Sequence, residues 1–223
     1  MFLEVKKRDQ KDNDTPSKIG NRETSDTVIE TNFRKDQAGD FKNFPEINQK
    51  SIQTLISKGY NYLFPIQYNC FYPIFKREDI IARDLTGSGK TIAFGLPIVE
   101  YLRNNRLFKT GKVQSIILAP TRELAIQITN ELGKLRHHPE EFKIVTVYGG
   151  VSVMDQANQL RSGVDLFVGT TGRVKDHIER GNIDFSALKS VVLDEADVML
   201  KLGFKEDIEA ILRKCREVCP SDL

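Results

Sequence analysis

Five short runs rich in Ile, Val, Leu and Ala recur along this chain, and stretches with helical character follow them. The runs are Asp79–Arg83, Val113–Ala119, Lys143–Tyr148, Asp165–Gly169 and Ser190–Asp194. Most are continuous rather than alternating, which suits strands covered on both faces of a parallel sheet. Helices are expected over Gly89–Arg103, Arg122–Leu135, Val153–Arg161 and Thr171–Arg180, with another over Lys205–Arg216. Strand–helix alternation at this spacing builds right-handed βαβ units. The fold class is therefore α/β, a three-layer sandwich around a mostly parallel central sheet. Such sheets bind ligands beyond the carboxyl ends of their strands.

The pattern does not start at residue 1. Residues 1–40 hold 8 Lys/Arg, 9 Asp/Glu and only 9 apolar residues, too few to offset the entropy of ordering them. A disordered extension over 1–40 and a folded unit over 41–223 follow. The formal net charge of +2 gives no global positive field, so any nucleic-acid contact must come from local basic groups and backbone amides. Cys70, Cys215 and Cys219 are odd in number and lack zinc-type spacing with the histidines, which reads as reduced thiols of an intracellular protein. No apolar run approaches the ~18 residues of a membrane span, and Met1 to Gln10 is charged, without the apolar segment of a secretory signal. His137 and His138 are neighbours that diverge on a helix and precede Pro139, so they are expected in a solvated loop. The basic residues from Arg103 to Lys112 are expected in a solvated connection.

Two motifs fall at strand ends. Thr86-Gly87-Ser88-Gly89-Lys90-Thr91 follows the first run and opens a helix. Glycines let such a loop curl until its N–H groups converge on a triphosphate, and the helix amino terminus adds a favourable dipole. Lys90 would reach the β- and γ-phosphates and the Thr91 hydroxyl would ligate Mg²⁺. Asp84 stands where this loop pattern has Gly or Ala, five positions before Gly89. Its carboxylate would either crowd the phosphates or turn away and cap the bend. The second motif is Asp194-Glu195-Ala196-Asp197. Asp194 is placed to hold the ion and Glu195 to deprotonate an attacking water. Taken singly, the first motif also reads as an ordinary Gly-rich turn and the second as an acidic helix start.

Together they resemble the DEAD-box ATP-dependent RNA helicases. Gly59-Tyr60-Asn61-Tyr62-Leu63-Phe64-Pro65-Ile66-Gln67 resembles the family's Q motif, with Phe41 upstream and 17 residues between Phe41 and Gly59. Pro120-Thr121-Arg122-Glu123-Leu124-Ala125, then Gly149-Gly150, then Thr170-Thr171-Gly172-Arg173 resemble the family's RNA-contacting motifs in order, with Thr171 in place of proline. The resemblance covers about residues 41–218. The text around Val174-Lys175-Asp176-His177-Ile178 most resembles the nucleolar Gu-type branch.

The resemblance implies a RecA-like domain 1 that binds ATP or ADP with Mg²⁺. Lys90, Asp194 and Glu195 carry the chemistry, and Thr91 and Asp194 hold the metal. Phe41, Gln67 and the loop Thr86, Gly87, Ser88, Gly89, Lys90 and Thr91 bind nucleotide. Gln67 has the donor and acceptor to read an adenine edge, and Phe41 offers a stacking face. It implies RNA held through its backbone by Pro120, Thr121, Arg122, Gly149, Gly150, Thr170 and Arg173. Each arginine alone reads equally well as a surface salt bridge, Phe41 as core, and Gln67 as a cap on the helix after Pro65. Thr171 is expected to loosen its turn, since proline would fix φ there. A second RecA-like domain completes the family's machine, so this chain alone is expected to be a monomer that binds nucleotide weakly, hydrolyses little and unwinds nothing. A nuclear or nucleolar location follows from the branch. The competing reading is a nucleotide- or RNA-binding module without turnover.

Overall fold

The computed structural model describes residues 38–84 and 87–218. A 3-10 turn, Phe41–Asn43, precedes helices α1 (Gln49–Ser57), α2 (Pro65–Phe75) and α3 (Lys90–Asn104). Then strands and helices alternate: β1 (Ser115–Ala119), α4 (Arg122–Gly133), β2 (Ile144–Val147), α5 (Val153–Arg161), β3 (Leu166–Thr170), α6 (Thr171–Glu179) and β4 (Ser190–Leu193). Helices α7 (Ala196–Lys201) and α8 (Lys205–Val218) follow. The four strands run parallel in the order β2-β3-β1-β4.

Strand alternation divides the interior in two. From β1, Ile117 and Ala119 face a core shared with α2, α3 and α4, while Ile116 and Leu118 face the other side. From β3, Leu166 and Val168 join the first core and Phe167 the second, beside α6 and α8. Both faces are covered, which is why β1 reads as an unbroken apolar run. Register is pinned inside the sheet as well, where the Ser115 and Ser190 hydroxyls of paired residues bond at 2.8 Å.

Several expectations need correction. Asp79–Arg83 forms no strand. Ala82 is buried and Ile80 packs on the core, but Ile81 is 57 % exposed and β4, an edge strand, pairs only with β1. The apolar alternation is there without a ladder partner among the described residues. Of the expected disordered extension, residues 1–37 lie outside the described residues. Gly39 and Asp40 belong to the fold: Leu63 N–H donates to the Gly39 carbonyl at 2.8 Å, and the Asp40 carboxylate caps the 3-10 turn at Lys42 N–H, 3.0 Å away. His138 is exposed as expected, but His137 is largely buried and bonds to the Ser51 hydroxyl at 2.7 Å. Arg103 is likewise no solvated link, because Glu100 and Glu141 enclose it. Thr171 does not loosen its turn. It is the first residue of α6, a position proline favours because the N–H there needs no helical partner. Its buried hydroxyl donates to Met199 Sδ at 3.3 Å. Cys70 and Cys215 are buried, and neither is in a disulfide among the described residues. No helix among the described residues is long and apolar enough to cross a membrane.

Candidate functional site

Every strand of the sheet ends at one edge, and the motif residues begin there. Ala119 leads into Pro120-Thr121-Arg122, Val147 into Tyr148-Gly149-Gly150, Thr170 into α6, and Leu193 into Asp194-Glu195. Lys90 opens α3 at the same edge, where its positive charge is felt by Asp194.

Gly89 caps α3 in the left-handed region, with φ of 80°. Gly87 also has positive φ. The bend therefore takes a shape that L side chains resist. Thr86 lies outside the described residues. Ser88 Oγ is buried and has no hydrogen-bond partner among the described residues. A buried hydroxyl without a partner is uncommon and calls for a cause, such as strain, a bound water or ion, or a ligand. Asp84, the departure from the loop pattern, raises the pKa of the buried Cys70 thiol of α2, though less than burial does; together they push it to about 11. Its charge thus acts on the α2 side of the loop.

Asp194 is buried, and its N–H donates to the Leu118 carbonyl at 3.0 Å, which extends the β1–β4 ladder by one step. Burial pushes its carboxyl up to about 6; adjacent Glu195 adds to the rise and Lys90 opposes it. Glu195 caps α7 with φ of 54°, a left-handed conformation that costs a non-glycine residue about 1–2 kcal/mol. A buried carboxylate short of positive charge, beside a strained second acid, suits a divalent cation. Thr91, one residue into α3, supplies a hydroxyl of the right type. Among the described residues no group of three or more His, Cys, Asp or Glu could hold a metal ion.

The structure places the two Q-motif residues inside the fold. Gln67 is buried; its Nε2 donates to the Gly89 carbonyl at 3.2 Å and its Oε1 accepts from Phe64 N–H at 2.9 Å. The amide therefore caps α2 and ties it to the phosphate loop. Phe41 is 7 % exposed and belongs to the first core with Phe44 and Ile47.

On the other side of the same edge the arginines are held. Arg122 lies over the Tyr148 ring with its guanidinium carbon 4.4 Å from the centroid. Thr121 Oγ1 accepts from Leu124 N–H at 3.2 Å, which starts α4. Arg173 Nη1 donates to the Val151 carbonyl at 3.0 Å and to Gln156 Oε1 at 2.7 Å. Gly149 and Gly150 lie exposed between these arginines, and a Cβ on either would meet nothing within 4 Å. Pro120 is buried behind Thr121, and Thr170 is half-buried at the head of α6. Sequence reasoning missed Tyr148, Gln156 and His177. Tyr148 ends a strand just before the paired glycines, which was a usable signal; Gln156 and His177 read as ordinary polar helix residues.

Comparisons with known proteins converge on one family. A sequence model of the DEAD/DEAH box helicase family matches residues 64–222. The chain is 40% identical over 200 residues to the mouse (Mus musculus) protein named ATP-dependent RNA helicase DDX50, covering 89% of this chain and 27% of that protein. It is 42% identical over 189 residues to nucleolar RNA helicase 2-B of Xenopus laevis, covering 83% of this chain and 23% of the relative. It thus spans about a quarter of the length of these relatives. The crystal structure of a DEAD box protein from the hyperthermophile Methanococcus jannaschii superposes with a TM-score of 0.71 at 34% identity, covering 79% of this chain and 47% of that one.

Proposed function

The chain belongs to the DEAD/DEAH box helicases, and from that premise we propose that it is the ATP-binding and RNA-contacting domain 1 of an ATP-dependent RNA helicase. The observation that carries this reading is the meeting of Lys90 with Asp194 and Glu195 at one sheet edge, beside a phosphate loop whose Ser88 hydroxyl lacks a partner.

The loop residues Thr86, Gly87, Ser88 and Gly89 cradle the phosphates with backbone N–H groups, and Lys90 neutralises the terminal ones. Thr91 and Asp194 would hold Mg²⁺, which would supply charge neutralisation at the phosphoryl oxygens. Glu195 orients a water and takes its proton as the water attacks. The base sits against the Gln67 segment. Gln67 spends one of its two N–H donors on Gly89 and one of its two acceptor lone pairs on Phe64, which leaves one of each for an adenine edge, so base recognition and loop position are joined in one side chain. RNA lies along Thr121, Arg122, Gly149, Gly150, Thr170 and Arg173, held by phosphate and sugar and without base readout. Closure against a second RecA-like domain, with local opening of a short duplex, completes the activity in the whole enzyme. The name of the Xenopus relative supports a nucleolar location.

The test is titration with fluorescent ATP, ADP and GTP, with and without Mg²⁺, on the wild-type chain and Lys90→Ala. Adenine-selective, Mg²⁺-dependent binding that weakens at least tenfold in the variant is expected, since a charge-assisted contact contributes about 1.5–3 kcal/mol. Binding that ignores Lys90 overturns the reading of the phosphate loop. Adding a family domain 2 in trans then separates an ATPase from a module that only binds, because RNA-stimulated turnover appears only in the first case.

A further inference from the structure

Three elements carry the residues assigned above to RNA, and one buried amide joins them. Gln156 lies on α5 and is 4 % exposed. Its Nε2 donates to the Tyr148 carbonyl at 3.3 Å, and the Tyr148 ring carries Arg122. Its Oε1 accepts from Arg173 Nη1 at 2.7 Å and bonds His177 Nε2 at 3.2 Å. His177, fully buried on α6, bonds through Nδ1 to Asn182 Nδ2 at 3.1 Å. These partners settle the direction of every bond. Gln156 Oε1 can only accept from a guanidinium, so His177 Nε2 carries the proton and Nδ1 accepts from Asn182. The imidazole is therefore neutral. Burial first and the Arg173 charge second hold its pKa below the ordinary value, in keeping with this tautomer.

The same guanidinium is anchored a second time, because Nη1 also reaches the Val151 carbonyl just past Gly150. Nη2 enters no hydrogen bond among the described residues. The Asp176 carboxylate lies 3.9 Å from Nε, at the outer limit of an ion pair. With its side chain 13 % exposed, Arg173 has little freedom beyond this fork. An ordinary way to fix a buried-edge arginine is a carboxylate in bidentate contact. Here the partners are two carbonyl oxygens, one of the backbone and one of an amide. Neutral acceptors orient the guanidinium without cancelling its charge, and the one nearby carboxylate, Asp176, is held more closely by Arg180 at 2.5 Å, which leaves most of the Arg173 charge for an anion.

We propose that Gln156, backed by His177 and Asn182, is a positioning residue for RNA binding: it sets the guanidinium of Arg173 and the Tyr148–Val151 turn together, so that Arg122, Gly149, Gly150 and Arg173 form one rigid phosphate-binding edge. The inference rests on the RNA reading of Arg122 and Arg173 given above. A neutral side chain is required at position 156, because a carboxylate there would hold Arg173 equally well and take its charge.

The experiment is titration of a fluorescein-labelled single-stranded polyuridine RNA against the full chain over a range of low salt concentrations. The variants are Arg173→Ala, Gln156→Glu, Gln156→Leu and the double variant of Arg173→Ala with Gln156→Glu. Arg173→Ala is expected to weaken binding about tenfold and to lower the slope of log affinity against log salt by about 0.7, the value of one single-strand phosphate contact. Gln156→Glu keeps the acceptor for Arg173 and His177 but loses the Nε2–H bond to the Tyr148 carbonyl. It is expected to reproduce both changes and, in the Arg173→Ala background, to add a loss well short of additive, the part carried by the Tyr148–Val151 turn. Gln156→Leu is expected to weaken binding while keeping more of the salt slope than Gln156→Glu, because the charge of Arg173 is released, not neutralised. If the wild-type chain ignores RNA, or Arg173→Ala binds as wild type, the RNA reading falls and the proposal with it. If Arg173→Ala loses affinity but Gln156→Glu does not, or if Gln156→Glu loses affinity additively with Arg173→Ala, the RNA reading survives and the positioning role is overturned. Should Gln156→Leu fail to fold, the Gln156→Glu comparison decides alone.

Discussion

Helix α3 has a buried polar cluster near each end, and the two are built on opposite terms. At its carboxyl end Glu100 is fully buried, yet Oε2 accepts from Asn48 N–H at 3.1 Å and Oε1 from the Ser51 hydroxyl and from Arg103. Arg103 in turn donates to both oxygens of Glu141, at 2.8 and 3.1 Å, and to the Leu135 carbonyl at 3.1 Å. His137 closes the ring through Ser51 and Glu141. At the amino end, about 20 Å away at 1.5 Å per residue, Ser88 Oγ has no partner among the described residues, Asp194 is buried beside another acid, and Glu195 sits in a left-handed conformation. A polar group costs free energy when buried unless it is paired. The paired cluster locks α1, α3 and the 136–141 loop together. The amino-end cluster, where Ser88 Oγ is unpaired and Asp194 sets the Glu195 backbone bond and the charge of Lys90 against its burial, leaves part of its demand open for a ligand to meet.

The largest test of this contrast is Arg103→Met. It leaves Glu100 and Glu141 facing each other without their cation, and breaking a buried pair costs about 3–5 kcal/mol. Urea unfolding should show that loss, and adding Glu100→Gln should recover part of it. A loss under about 1 kcal/mol would mean that the cluster is decoration. At the other end the sign reverses. Glu195→Gly removes a left-handed non-glycine residue and should raise stability by about 1 kcal/mol, or roughly 2–4 °C in Tm, while removing the proposed base. An unchanged or lower Tm would show that Glu195 bears no strain.

A smaller effect concerns pH. Burial and then Arg103 depress the His137 pKa, against a lesser pull from Glu141 and with Lys50 and His138 adding to the depression. The folded state therefore keeps this imidazole neutral below the ordinary value of about 6.5, where the unfolded chain protonates it. Its contribution is complete above that pH and is lost as pH falls beneath it. His137→Gln should flatten the fall in stability between pH 6.5 and 5 relative to wild type. An identical slope would place His137 in water, as the sequence alone suggested.

The two clusters also differ in how far the sequence disclosed them. Glycines at 87 and 89, Lys90 and the acids after β4 stood out in the sequence because phosphate and metal chemistry use those residue types at those spacings, and the fold brings them to one sheet edge. The strands β1, β3 and β4 were legible because continuous Ile/Val/Leu runs have few other uses. The run at 79–83 misled for the same reason: a short apolar run records burial but does not say whether a ladder partner lies alongside. The cluster around Glu100 could not be read, because Ser51, Glu100, Arg103, His137 and Glu141 come from elements far apart in the chain, and each alone is an ordinary helix or loop residue. Gln156 and His177 were hidden for that reason too. Gln67 shows an intermediate case: the residue was found, but its bonds to Phe64 and Gly89 depend on how α2 meets the phosphate loop.

The smallest stability effect should belong to Ser88→Ala. A hydroxyl that is buried and bonded normally costs about 1 kcal/mol or more to remove, because its partner is orphaned. Ser88 orphans nothing among the described residues, and alanine relieves the burial of a polar atom. The unfolding free energy should therefore change by less than about 0.5 kcal/mol, in either direction. Nucleotide affinity should nonetheless fall severalfold, because the hydroxyl's partner is then on the ligand. A stability loss of 1 kcal/mol or more with unaltered nucleotide binding would show that Ser88 is bonded within the protein, and that the amino end of α3 is as closed as the other.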